Sequence, residues 1–129
     1  MPTYHIEIVG VVADADQKWV DNVISRFPVH GVERATHGVS RRISTAAIRQ
    51  IALARQLVTT LGVRVGAAVT LANDLLTSQH GSVSLSNGLE LRIDRRAFDN
   101  EIDRAILDAV ERVVPARRGR PPRRASTET

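Results

Sequence analysis

Cysteine is absent from the 129 residues, so the chain has neither a disulfide frame nor a thiolate metal site. Aromatic residues make up only 3% of it: Tyr4, Trp19, Phe27 and Phe98. A core must therefore be aliphatic and alanine-rich, and the 43% hydrophobic content is enough to build one. Lysine occurs once, as Lys18, so nearly all positive charge is guanidinium. No apolar run approaches the ~20 residues of a membrane span, and the first residues carry no signal-peptide pattern. No contact with a membrane and a cytoplasmic, nucleoid-associated location are expected. His5, His30, His37 and His80 are scattered without metal-ligand spacing, and no phosphate loop or GxSxG is present. The expectation is a protein that is not an enzyme and holds no cofactor or metal.

The charge that is present is unevenly placed. Of 18 basic and 14 acidic residues, the segment from Pro115 holds five arginines (Arg117, Arg118, Arg120, Arg123 and Arg124) against Glu128. That tail accounts for the whole net charge of +4 and leaves a balanced body, 13 against 13. Within the body, residues 22 to 73 hold Arg26, Arg34, Arg41, Arg42, Arg49, Arg55 and Arg64 against Glu33 alone. A basic middle and a basic tail on a neutral body suit one-sided contact with a polyanion. Residues 1–114 read as one domain and residues 115–129 as a disordered basic tail.

The chain is organised around Gly38 to Leu61. Ser44 stands where a helix N-cap belongs. Ala47, Ile51, Ala54, Val58 and Leu61 follow on one face at helical spacing, with Ile48 and Leu57 at its edges and Arg49 and Gln56 turned away. Gly62 is placed as a C-terminal stop. Upstream, Tyr4, Ile6 and Ile8 alternate with polar residues as in a strand, and Tyr4 to Ala13 reads as a strand, as a helix, or as a strand that gives way to a helix near Val9. Asp14 to Phe27 is expected to be a helix. Asp14 or Asp16 caps it, Trp19, Val20, Val23, Ile24 and Phe27 face inward, and Pro28 ends it. Val29 to Ile43 reads as a loop turning at Gly31 and Gly38.

Val63 to Ser78 is expected to be a helix that folds back on the preceding one, with Gly81 as its stop. Ser82 to Ile93 is expected to be a hairpin. A three-residue loop, Ser86-Asn87-Gly88, pairs Val83 with Leu91 and Leu85 with Leu89, so that the apolar residues share one face. The hairpin then covers the helices or pairs with Tyr4–Ile8. Asp94 caps a last helix that Pro115 ends. Its stripe (Phe98, Ile102, Ala105, Ile106, Ala109, Val113) can pack on its own domain or on a second copy.

The run Gly38-Val39-Ser40-Arg41-Arg42-Ile43-Ser44, followed by Ile48, Ile51, Leu57 and Leu61-Gly62-Val63, resembles the MerR-type winged helix-turn-helix family over about residues 4 to 77. The resemblance implies a winged helix-turn-helix and a helical hairpin; with the C-terminal β-hairpin and helix read from the residues, the expected fold is mainly α with small β. It would start the first helix at Ile8, make Asp14–Phe27 the recognition helix, and make Arg34, Arg41 and Arg42 a wing that touches phosphates. Lys18, Asn22 and Arg26 are residue types that read bases or phosphates from such a helix. Asp21 departs from the family pattern, because a carboxylate opposes phosphates. Double-stranded DNA is the implied partner, with a homodimer through residues 94–114 doubling the contacts.

Arg118-Gly119-Arg120-Pro121 resembles an AT-hook core, which places Arg117, Arg118, Gly119, Arg120, Arg123 and Arg124 in a minor groove. The function implied is a DNA-binding transcriptional regulator or architectural protein. The competing expectation is a protein-interaction module similar to the chaperone modulators that bind DnaJ-like co-chaperones. Asp14, Asp16 and Asp21 favour that reading, and the arginine tail opposes it.

Overall fold

The computed structural model describes residues 2–33 and 41–118, with side chains as far as Val113. The described residues form five helices and two small antiparallel sheets. In chain order they are β1 (Thr3–Tyr4), α1 (Ile6–Ala13), α2 (Gln17–Arg26), β2 (Val32–Glu33), β3 (Arg42–Ser44), α3 (Thr45–Leu61), α4 (Val65–Thr77), β4 (Ser82–Ser86), β5 (Leu89–Arg92) and α5 (Arg95–Arg118).

Helix α3 is the wall shared by two apolar clusters. On one side Ile48 and Ile51, with Ile43 of β3, meet Val9, Val20, Ile102 and Ile106 from α1, α2 and α5. On the other, Leu53, Ala54 and Leu57 meet Val69, Ala72 and Leu75 of α4. Fully burying each of these larger side chains contributes about 1.5–3 kcal/mol. Ser44 Oγ accepts from the Ala47 N–H at 3.2 Å and starts α3 as expected. Gly62, at φ 70°, ends it with its N–H on the carbonyls of Leu57 and Val58. Because α3 is enclosed on both sides, even Gln50 is buried. Its Nε2 donates to the carbonyls of Pro28 at 3.3 Å and Val69 at 3.1 Å. Leu61, the last member of the expected stripe, lies in the exposed final turn instead.

The N-terminal segment differs from the strand expected over Tyr4–Ile8. Only Thr3 and Tyr4 are extended, paired with Ser44 and Ile43. The helix begins at Ile6, earlier than Val9 or Ile8, because Ile8, Val9 and Ala13 then bury one face. Gln17 opens α2 later than expected. Asp14 is instead the left-handed C-cap of α1 (φ 56°), and Asp16 caps α2 through the Trp19 N–H at 2.8 Å.

Helix α4 folds back on α3 and ends at Thr77, before Gly81. In the β4–β5 hairpin Val83 pairs with Leu91 as expected, but Ser86 rather than Leu85 pairs with Leu89. The register shift lies between Ser84 and Ser86, so Leu85 does not join the packed face, and Leu85 and Leu89 are exposed. Val83, Leu91 and Ile93 pack on the second cluster, so the hairpin covers helices rather than pairing with β1.

Asp94 caps α5 through the Ala97 N–H at 3.1 Å. Ile102, Ile106 and Ala109 are buried within their own chain. Of the two places expected for this stripe, its own domain or a second copy through residues 94–114, Ile102, Ile106 and Ala109 take the first, and Leu107 is left outward, 69% exposed. The backbone of α5 runs through Pro115 to Arg118, past the expected stop. A proline forfeits one helical hydrogen bond at a cost of about 3 kcal/mol, a penalty that other contacts can outweigh. No helix of the described residues is long and apolar enough to cross a membrane.

Candidate nucleic-acid interface

Three residues, Asp14 to Asp16, connect α1 to α2. The turn is tight because the Asp14 N–H bonds the carbonyls of Gly10 and Val11 while the Ala15 N–H bonds that of Gly10 at 3.0 Å. Val20 and Val23 fix the inner face of α2 in the core. Gln17, Lys18, Asp21, Asn22, Ser25 and Arg26 are left exposed on the outer face. Lys18, Asn22 and Arg26 are four residues apart and form one row along the helix.

Strands β2 and β3 lie beside α2, with Val32 opposite Ile43 and Glu33 opposite Arg42. Gly31 opens this pair at φ +87° and sits against Ser44. A Cβ there would collide with Ser44 Oγ, so the start of the strand pair and the cap of α3 are packed as one unit. Between the end of α2 and β2 lies a groove of about 460 Å³, lined by Ile24, Ser25, Phe27, Pro28, Val29, Val32 and Arg41.

Of the three wing arginines expected to touch phosphates, Arg41 and Arg42 lie among the described residues, and both have partners inside the protein. Arg41 Nη1 donates to Asp21 Oδ1 at 3.0 Å, and its Nη2 donates to Ser25 Oγ at 3.2 Å. The pair is half exposed and lies on the outer side of α2. It neutralises the one carboxylate of that face, leaving Lys18 and Arg26 as its net charge. Arg42 is turned toward β1. Its Nε donates to Thr3 Oγ1 at 3.0 Å, its Nη2 to the Thr3 carbonyl at 3.1 Å, and its Nη1 to His5 Nε2 at 2.9 Å. Arg42 thus ties the first strand to the third.

The sequence reading missed Ser25 and Arg55. Ser25 follows Asp21 by four residues on one face, a spacing that could have marked a shared partner. Arg55 stacks its guanidinium 4.9 Å over the Trp19 ring and ties α3 to α2, which no local spacing announces. Arg34 lies outside the described residues, as do Gly119, Arg120, Arg123 and Arg124. Arg117 and Arg118 belong to the backbone of α5 rather than to an extended tail. No family model, curated protein or solved structure matches the chain.

Proposed function

We propose that this protein is a DNA-binding regulator or architectural protein that lays α2 in a major groove, in the manner of a winged helix-turn-helix. The observation that carries the reading is the exposed row Lys18, Asn22 and Arg26 on a helix whose opposite face is anchored by Val20 and Val23. A three-residue turn and an adjacent strand pair support it, because they hold that helix against the core with Arg41 at its outer side. In this reading Asn22 reads a base edge, Lys18 and Arg26 neutralise phosphates, and the arginines beyond Pro115 add a minor-groove or backbone grip.

A specific observation favours a second reading, a protein-interaction module. Arg41 and Arg42 are both bonded within the chain, and a cleft of about 480 Å³ beside α1 carries Glu7, Asp14 and Asp16 with Arg55 as its one base. An acidic cleft suits a basic protein partner better than a duplex.

A gel-shift titration against salt, with the full chain and with residues 1–114, separates the two. The proposed function expects both forms to retard duplex DNA at low salt, the full chain with the steeper salt dependence. Retardation by the full chain alone assigns DNA binding to the tail and the helical domain to a protein partner. No retardation by either form overturns the proposal.

A further inference from the structure

We propose that the cleft between α3, α4 and the start of α5 binds a small organic acid, one carboxylate on an apolar body. The cleft holds about 370 Å³, within the range of small-molecule sites. Ala46, Arg49 and Gln50 of α3 form one wall, and Asn73, Leu76 and Thr77 of α4 the other. Arg95 and His30 complete the lining. Two guanidiniums line it and no carboxylate does. Its lining is otherwise largely apolar, so the charge sits over a surface that would cover a hydrocarbon or a ring.

The guanidiniums are incompletely partnered. Among the described residues four buried side-chain polar atoms have no hydrogen-bond partner. Three of them, Arg49 Nε, Arg95 Nε and Asp99 Oδ1, belong to this one cluster. Asp99 stands behind the cleft, 3.5 Å from Arg49 Nε and 3.8 Å from Arg95 Nη2, both long for a charge-assisted bond. Asp103 holds Arg49 from the exposed side at 2.8 Å. Arg95 is otherwise held by a 3.4 Å bond to the Ser78 carbonyl. Two aspartates balance the charge of the arginines, yet neither reaches into the cleft. A carboxylate in the cleft is offered the N–H groups that these contacts leave over, Arg49 Nη1 among them, while its apolar part meets Leu76 and Ala46. The two Nε atoms and Asp99 Oδ1 are sealed from solvent, so a ligand gains from the outer N–H groups of these arginines and not from those atoms. This site is independent of the α2 face and of any role in binding DNA.

The test is a titration of the full, isotopically labelled chain with benzoate, followed by backbone amide resonances, with benzamide as the uncharged match. Saturable shifts at Ala46, Arg49, Asn73, Leu76 and Thr77 are expected with benzoate, and binding about tenfold or more weaker with benzamide. Arg95→Gln should weaken benzoate about tenfold, and Ala46→Phe should abolish binding by filling the cleft while leaving both arginines. Equal binding of benzamide, unsaturating shifts, shifts centred on other arginines, or undiminished binding by Ala46→Phe would each overturn the site. If Arg95→Gln does not fold, Ala46→Phe decides.

Discussion

Asp21 on α2 and Arg41 at the foot of β3 are twenty residues apart in sequence and 3.0 Å apart in space. Ser25, one helical turn along, completes the grip on the same guanidinium. The pair fastens the outer face of α2 to the strand pair. It also turns two features that looked opposed in the sequence, an acid on the helix proposed to face DNA and an arginine expected to touch phosphates, into one neutral unit.

Asp21→Asn should therefore free Arg41 for a phosphate. Fluorescence anisotropy on a short duplex, repeated across salt concentrations, should show tighter binding and a log–log salt slope steeper by about 0.9, one added phosphate contact. Both partners are substantially exposed, so folding stability should fall by no more than about 1 kcal/mol. An unchanged slope would place Arg41 away from the duplex.

Arg42→Ala should act on stability rather than on DNA. It removes three hydrogen bonds, two to Thr3 of β1 and one to His5, that hold the N-terminal segment to β3. Urea unfolding should show a loss of about 1–3 kcal/mol. The salt slope of DNA binding should stay as in the parent chain. A slope shallower by one contact with unchanged stability would return Arg42 to the phosphate role expected from its place in the sequence.

Gln50→Leu keeps side-chain volume but strips the donors from the carbonyls of Pro28 and Val69. Leaving those carbonyls without their partner should cost about 1–3 kcal/mol, read as a lower denaturant midpoint at constant m-value. A change below a few tenths of a kcal/mol would mean that water replaces the amide.

Ile106→Ala should lower stability by about 2–5 kcal/mol, since Ile106 is 5% exposed within the first cluster. Its sedimentation behaviour should match the parent chain, because the stripe of α5 is internal. Dissociation of a dimer by this substitution would show the stripe to be an interface after all.

Elements set by local chemistry were legible from the residues. Ser44 and Gly62 bracket α3, Asp16 and Pro28 bracket α2, and Asp94 starts α5. In each case a side chain or a φ restriction acts within a few positions of itself. The errors came where a distant partner decides. Ile6 and Ile8 alternate like a strand, yet burying Val9 and Ala13 beside α3 winds them into a helix. The hairpin's inner pair followed from patterning, but its tip followed the turn, and no core contact held Leu85 in register.

The candidate face was legible in part. Helical period alone puts Lys18, Asn22 and Arg26 outward. Which way an arginine turns is not a matter of period: Arg41 and Arg42 are neighbours in sequence with the same chemistry, and one meets α2 while the other meets β1.

By itself the sequence determined α2 to α5 in outline, the caps at Asp16, Ser44, Gly62 and Asp94, the aliphatic core and the uneven charge, because each depends on period, on φ limits or on composition. Only the tertiary structure decided that α3 is enclosed on both sides, that the stripe of α5 is used at home, and which guanidiniums are already bonded. Those outcomes depend on which surfaces meet, and residues far apart in the chain settle that by competing for the same partners.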